Sequence, residues 1–156
     1  MSDWKQRKIV VAVDGSDTAR SALRFALDLG QALACRVTAV AVVLTRLPGY
    51  RAGYFSFVDR HALEELRQYA QSVLGEAQQA AQTTGNANFE AVTLEGEQEI
   101  YEQLADYLAQ SADVAFAVVG SYGHSLRDRH LLGSTTQRLI LEIARRDLRT
   151  PVLVVP

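Results

Sequence analysis

Cysteine is scarce in this sequence, and long apolar runs are absent. The one cysteine among its 156 residues is Cys35, so neither an internal disulfide nor a four-cysteine metal site can form. Because Cys35 closely precedes an apolar run, we expect its thiol to pack in the core. The first residues lack the apolar stretch of a signal peptide, and no run approaches the length of a membrane span. These absences predict a cytoplasmic protein with no membrane partner.

An excess of positive charge is also missing. With 16 Lys and Arg against 18 Asp and Glu, the formal net charge is −2 at pH 7, and no general positive field attracts a nucleic-acid backbone. Acidic residues dilute the one basic cluster, which is typical of a solvated helix face and comprises Arg138, Arg145, Arg146 and Arg149. We therefore expect no nucleic-acid partner, and a bound phosphate would need local donors.

Short apolar, β-branched runs alternate with segments of helical spacing. The runs predict strands at 9–13, 37–44, 89–94, 114–119 and 152–155, and the third is weak enough to suit a sheet edge. Stripes of apolar residues between them predict helices around 19–27, 63–77, 100–108 and 139–144. This alternation predicts an α/β fold with a five-stranded parallel doubly wound sheet. The length suits one such core, so residues 1–156 are predicted to form a single domain.

Two loops of this fold are suited to binding a ligand. Doubly wound sheets bind ligands beyond the carboxyl ends of their strands, where the strand order reverses. Asp14, Gly15 and Ser16 follow the first strand, and 120–123 follows the fourth. In a flavodoxin-like order these strands are neighbours, so both loops would face one crevice. The aromatic segment 45–58 could lie over that crevice, or pack on the domain or a partner, and both interpretations stay open.

Glycine and hydroxyl residues are concentrated between the fourth strand and the fourth helix. Gly120, Gly123 and Gly133 allow sharp turns and a close approach of a polyanion to the backbone. Ser134 and Gln137 have the spacing of a capping box, which predicts Ser134 as the N-cap of a well-defined helix start. Spacing alone leaves two interpretations open, because neither a Walker motif nor a dinucleotide-binding glycine motif is present. The segment could bind phosphate, or its glycines and Ser134 could simply end the strand and begin the helix.

Three separated motifs resemble the universal stress protein family. The pattern Gly-x2-Gly-x9-Gly-Ser, ending at Ser134, is similar to that family's nucleotide loop. The opening segment 8–16 and the ending 150–155 also resemble the family, so the likeness covers essentially the whole chain in order. It implies a flavodoxin-like or Rossmann-like sheet of strand order 3-2-1-4-5. It also implies ATP, ADP or AMP in the crevice, with or without Mg.

The resemblance assigns the binding residues position by position. They are Ala12, Asp14, Val42, Val119, Gly120, Gly123, Gly133, Ser134 and Thr135. By this likeness Asp14 contacts the nucleoside, the backbone of Val42 recognises adenine, and Gly133 begins the part that holds the outer phosphates. The segment departs from many relatives at Leu126 and Arg127. Arg127 or Arg129 could reach a β- or γ-phosphate or point to solvent.

The residues needed for conventional catalysis are missing, and no catalytic residue is assigned. A phospho-acceptor role for Asp14 would need further acidic metal ligands and a lysine after the last strand. Adenylyl transfer would need a histidine cluster at the first loop. His124 and His130 have no carboxylate at a metal-ligand spacing, so no metal site is expected.

We therefore expect an ATP-binding regulatory protein of the stress response, read by an unidentified protein partner, with at most weak ATP hydrolysis. Two alternatives remain open. One is a nucleotide-free structural or interaction protein of the same family. The other is a slow ATPase or phosphotransfer protein modified at Asp14 or Ser134.

The last predicted strand, Val152–Val155, is short and apolar on both faces. It is expected at a sheet edge, where such a strand needs cover. Pairing with its own copy across a two-fold axis would supply that cover, and the family resemblance implies the same homodimer.

Overall fold

The computed structural model describes residues 3–46, 60–122 and 132–156. After a 3-10 turn, Trp4–Gln6, the elements in chain order are β1 (Lys8–Ala12), α1 (Asp17–Leu33), β2 (Arg36–Leu44), α2 (Arg60–Thr83), β3 (Phe89–Gly96), α3 (Ile100–Gln110), β4 (Val114–Gly120), α4 (Ser134–Arg145) and β5 (Val152–Val155). The strands pair in parallel in the order β3-β2-β1-β4-β5. The predicted five-stranded, doubly wound flavodoxin-like fold is confirmed.

Side chains along β2 alternate between two hydrophobic cores, one on each face of the sheet. Val37 packs with buried residues of α1 and α2, such as Leu27 and Val73. Val40 packs with Leu104 of α3 and with α4. Because both faces of the central strands are covered, their sequences are continuous apolar runs. The third strand lies at an edge, as its polar residues indicated.

The predicted strands agree with the observed ones within two residues. Strand β1 begins and ends one residue earlier than predicted, at Lys8 and Ala12, and β3 continues to Gly96. Strand β5 has the predicted limits, Val152–Val155. Strand limits are set by where backbone partners end, and the hydrophobic pattern carries that information only approximately.

The expectation for Cys35 is confirmed, and the expectation for the basic cluster is confirmed for three of its four arginines. Cys35 is buried in the core on the α1–α2 side of the sheet, and burial raises the pKa of its thiol. In the basic cluster, Arg138, Arg145 and Arg149 are exposed, as predicted for a solvated helix face, whereas Arg146 is partly buried beside Asp106. No helix in the three described ranges combines the length and apolar character needed to cross a bilayer.

Candidate functional site

A cavity of about 700 Å³ opens beyond the carboxyl ends of β1, β2 and β4. Eight residues predicted from the sequence line it: Ala12, Asp14, Val42, Val119, Gly120, Gly133, Ser134 and Thr135. The first and fourth strand ends therefore do face one crevice. Three further predicted residues lie outside the described residues: Gly123, Arg127 and Arg129. So do Leu126, both loop histidines and most of the aromatic segment, 47–58.

Asp14 lies in a tight turn between β1 and α1. Its carboxylate Oδ1 accepts hydrogen bonds from the amide of Ser16 at 2.9 Å and from the hydroxyl of Ser16 at 2.5 Å. Ser16 is also the N-cap of α1, and its Oγ accepts the amide N–H of Ala19 at 3.3 Å. The first turn of α1 carries a further acid, Asp17. This helix start is therefore capped and already surrounded by negative charge.

Tyr69 of α2 forms one side of the same turn. Its hydroxyl donates to the carbonyl oxygen of Asp14 at 2.9 Å, and its side chain lines the cavity. Gly15 has φ +82°, and a Cβ there would lie 2.3 Å from the Tyr69 hydroxyl. Tyr69 was not predicted from the sequence. Its spacing from two apolar residues of the predicted helix, three after Leu66 and four before Val73, was the signal that could have found it.

The end of β4 is enclosed by the first turns of α1 and α4. The Thr136 hydroxyl donates to the Gly120 carbonyl at 2.8 Å, and the Thr18 hydroxyl donates to the Tyr122 carbonyl. A Cβ on Gly120 would lie 2.5 Å from Thr18 Oγ1 and 2.9 Å from the Thr18 carbonyl carbon. Only glycine fits at this position without displacing α1. The two buried threonines were also missed by the sequence analysis, because their partners are distant in sequence.

Helix α4 begins one residue earlier than predicted. Its N-cap is Gly133, with φ −60° and ψ 151°, and no side chain caps it. The predicted capping box at Ser134 is therefore wrong. Gln137 instead donates its side-chain amide to the Leu132 carbonyl at 2.6 Å, and its backbone N–H bonds to the Gly133 carbonyl at 3.0 Å. Ser134 consequently occupies the first helical position, where backbone N–H groups have no partner within the helix.

The starts of α1 and α4 differ in charge and capping. A helix N-terminus carries a partial positive charge that favours anions. At α1 this charge is offset by the Ser16 cap and by Asp14 and Asp17. The first turn of α4 contains no acid and adds the exposed hydroxyl residues Ser134 and Thr135. An anion entering the crevice is therefore favoured at α4 rather than at α1.

The part of the cavity beside β2 is apolar and ends in backbone polar groups. The N–H of Val37 bonds to the carbonyl of Asn88, just before β3, whereas the carbonyl of Val40 accepts the N–H of Val13 at 2.9 Å. By strand alternation the N–H and C=O of Val42 also point to the β1 side, beyond the last residue of that strand. The apolar walls come from several elements and include Val40, Ile100, Leu104, Val119 and Leu139. This geometry suits a flat ring with polar atoms along one edge.

The described ranges contain no group of three or more His, Cys, Asp or Glu side chains arranged to hold a metal ion. His61 lies on the outside of α2, with its side chain 88% exposed and its Nε2 3.3 Å from Glu65.

A doubly wound sheet with its crevice between the ends of β1 and β4 defines a class of α/β ligand-binding domains. Within that class, the chain belongs to the universal stress protein family, whose model matches residues 5–156. A search of curated proteins found no match.

Solved structures of the family share this fold. A Burkholderia pseudomallei member of the universal stress protein family is 27% identical, with a TM-score of 0.69 and 97% of each chain covered. UspA of Lactobacillus plantarum is 23% identical, with a TM-score of 0.77 and coverage of 97% of this chain and 98% of that one. The universal stress protein of Archaeoglobus fulgidus, in complex with dAMP, is 24% identical, with a TM-score of 0.67 and coverage of 96% and 98%.

Proposed function

We propose that this chain binds an adenine nucleotide in the crevice, with its phosphate at the start of α4. The proposal is based mainly on one observation: three segments line the same cavity. They are the Asp14 turn, the end of β4 at Gly120, and the first turn of α4. The relative from Archaeoglobus fulgidus in complex with dAMP supports this class of ligand.

The charges around the crevice support one orientation of the nucleotide. The phosphate would contact the amides and hydroxyls at Ser134 and Thr135, since that helix start carries no acid. Sugar hydroxyls are donors and would lie at the Asp14 carboxylate, an acceptor. The adenine would occupy the apolar part of the cavity, with its polar edge against the backbone of Val42. Contacts from Gly123, Arg127 and Arg129 remain predictions.

The role that best suits this site is regulatory rather than catalytic. Among the described lining residues Asp14 supplies the one carboxylate, and none is a His, Lys, Arg or Cys. The described lining therefore supplies neither a general acid–base pair nor a nucleophile with a neighbouring base to activate it. We propose a single nucleotide-binding domain that takes ATP, ADP or AMP, with or without Mg, in the cytoplasmic stress response. An unidentified protein partner would respond to whether the nucleotide site of this domain is occupied.

Substitution of Ser134 separates binding from folding. Ser134→Asp places a negative charge at the first position of α4, where an acid favours the helix but repels a phosphate. We expect it to weaken AMP and ATP binding by more than about tenfold without lowering the melting temperature. The neutral control Ser134→Asn should bind within about threefold of the wild type. Isothermal titration calorimetry measures both affinities.

Absence of wild-type binding at millimolar nucleotide, or equal binding by Ser134→Asp, would overturn the proposal. Incubation with labelled ATP distinguishes the two alternative functions. No retained label indicates a nucleotide-free interaction protein. Release of phosphate, or transfer of label to the chain, indicates an ATPase or phosphotransfer protein.

We also propose that the chain forms a homodimer through β5. All four residues of Val152–Val155 are partly exposed, and the described strands pair with β5 on one side, through β4. The carbonyls of Pro151 and Val155 bond towards β4, so by alternation the backbone polar groups of Val152 and Val154 point outward. An edge with unpaired backbone groups and apolar side chains is suited to pairing with its own copy.

A further inference from the structure

Tyr69 connects the crevice to a sparsely packed part of α2. Residues 60–69 of this helix are exposed or partly exposed, and buried positions begin at Ala70. Tyr69 is itself 51% exposed, although its hydroxyl bonds to the Asp14 carbonyl. Two turns from the helix start, Arg67 forms a two-point ion pair with Glu95 of β3, at 3.0 and 2.5 Å. This ion pair and the Tyr69 hydrogen bond join the same part of α2 to β3 and to the Asp14 turn.

The Asp14 turn is held by bonds to both its side chain and its backbone. Ser16 holds the carboxylate through its amide and its hydroxyl. Tyr69 holds the carbonyl of the same residue, and its ring carbon Cζ would lie 3.2 Å from a Cβ on Gly15. The ring therefore rests against a glycine, whose backbone, lacking a Cβ, is less restricted in its own dihedral angles than that of other residues. Removing the Tyr69 hydroxyl would release the backbone bond while Ser16 keeps its own two bonds.

We propose that Tyr69 is a positioning residue for recognition of the ribose. By holding the Asp14 peptide, it keeps the carboxylate where it accepts hydrogen bonds from the sugar hydroxyls. A carboxylate can accept more hydrogen bonds than the two from Ser16, and bonds to a charged acceptor depend strongly on distance and angle. This inference rests on the proposed nucleotide site and adds to it a residue of α2 that controls selectivity for sugar hydroxyls.

The test compares AMP with 2′,3′-dideoxy-AMP, which has the same base and phosphate but no sugar hydroxyls. Calorimetry of the wild type should show AMP binding about tenfold more tightly than the dideoxy compound. In Tyr69→Phe the advantage of AMP should fall to about twofold, while the affinity for the dideoxy compound stays within about twofold of the wild type. A selective loss of this kind is not expected from general destabilisation.

Tyr107→Phe is the matched control. It removes one tyrosine hydroxyl that accepts a hydrogen bond from Lys8 at 3.1 Å, at the opposite end of β1 from Asp14. This variant should retain the tenfold preference. Melting curves of both variants verify that they are folded, and the half-exposed position of Tyr69 makes folding of its variant expected.

Three results would overturn the inference. Equal weakening of both nucleotides in Tyr69→Phe would assign Tyr69 a purely structural role, and unchanged affinities would assign it none. A wild type that binds both compounds equally would show that no hydroxyl is recognised, while leaving the nucleotide site intact. A wild type that binds neither compound would overturn the proposed function itself, so the two failures are distinguishable.

Discussion

Gly120 lies where β4 comes closest to the start of α1. Its missing side chain leaves room for Thr18, whose hydroxyl bonds to the Tyr122 carbonyl and whose carbonyl carbon would lie 2.9 Å from an added Cβ. Because the obstructing atoms include backbone, a rotamer change alone cannot relieve the contact. The glycine therefore determines how near α1 lies to the crevice.

We expect Gly120→Ala to destabilise the fold by about 1–3 kcal/mol through overpacking and to weaken nucleotide binding. Gly75→Ala is the control, because an added Cβ at Gly75 meets nothing within 4 Å and lies inside α2. That change should stabilise the helix by up to about 1 kcal/mol. Urea unfolding measures both. A Gly120→Ala variant as stable as the wild type would show that α1 moves aside without cost.

At the scale of residues, the sequence indicated Asp14 and Gly120 because local pattern and family likeness both mark them. It did not indicate Tyr69, Thr18 or Thr136. Each of these acts through a hydrogen bond to a backbone carbonyl that is 16 to 104 positions away in sequence. Such a bond forms only when the helices have packed, so composition and residue spacing do not predict it.

At the scale of elements, two ion pairs connect α4 or its C-cap to α3 or its N-cap. Arg138 bonds to Glu99 at 2.6 Å, and Arg146 bonds to Asp106 at 2.5 Å. Glu142 accepts hydrogen bonds from Arg145 of its own helix and from Arg146, the C-cap residue of that helix. These bonds lower the pKa of Glu142 to about 2. The network fixes the helix whose first turn forms the proposed phosphate site.

The lowered pKa of Glu142 predicts a pH dependence of stability. A carboxyl group with a lower pKa in the folded state stabilises the fold above its ordinary pKa of 4.5, and this contribution is lost as the pH falls towards 2. Glu142→Gln should therefore reduce stability at pH 7 and flatten its fall between pH 4.5 and pH 2. Chemical denaturation at a series of pH values measures the slope.

Glu76→Gln serves as the control for this measurement. Glu76 is 3.6 Å from Arg20, and both side chains are more than half exposed. Exposed pairs of this kind contribute little to stability, so the variant should keep the wild-type pH dependence. An identical slope for Glu142→Gln and the wild type would show that the network does not stabilise the fold.

The strands and helices themselves were largely predictable, because buried strands and amphipathic helices have distinct periods. The start of α4 was not. Ser134 has the right spacing for a cap, but the Gly133 amide bonds to the Ser121 carbonyl at 2.7 Å. This contact with the end of β4 holds Gly133 at the N-cap position. Tertiary hydrogen bonds of this kind determine whether Gly133 or Ser134 becomes the N-cap, and the sequence alone leaves that choice open.

At the scale of the whole molecule, the exposed edge of β5 predicts a dimer that can be broken by charge. Val154→Lys places a cation on this edge and should shift the protein to monomers in sedimentation velocity, raising the dimer dissociation constant at least about tenfold. Val154→Thr keeps the side-chain shape and should remain largely dimeric. A wild-type monomer, or a dimer unaffected by Val154→Lys with its melting curve intact, would contradict this interface.

The topology of the whole molecule was predictable from β-α alternation together with family likeness, and the position of the crevice followed from topology. The orientation of a ligand in the crevice was implied by the family likeness, with the nucleoside at Asp14 and the outer phosphates from Gly133 onward, but the pattern of residues alone did not predict it. It depends on the different charges at the starts of α1 and α4, and the correct start of α4 became known only with the structure.

A crystal structure of the protein grown with AMP tests the nucleotide site most directly. We predict one AMP per chain, with its phosphate against the first turn of α4 at Ser134, its ribose at Asp14 and its adenine beside the backbone of Val42. An empty crevice at saturating AMP, or a phosphate bound at the start of α1, would contradict the proposed site.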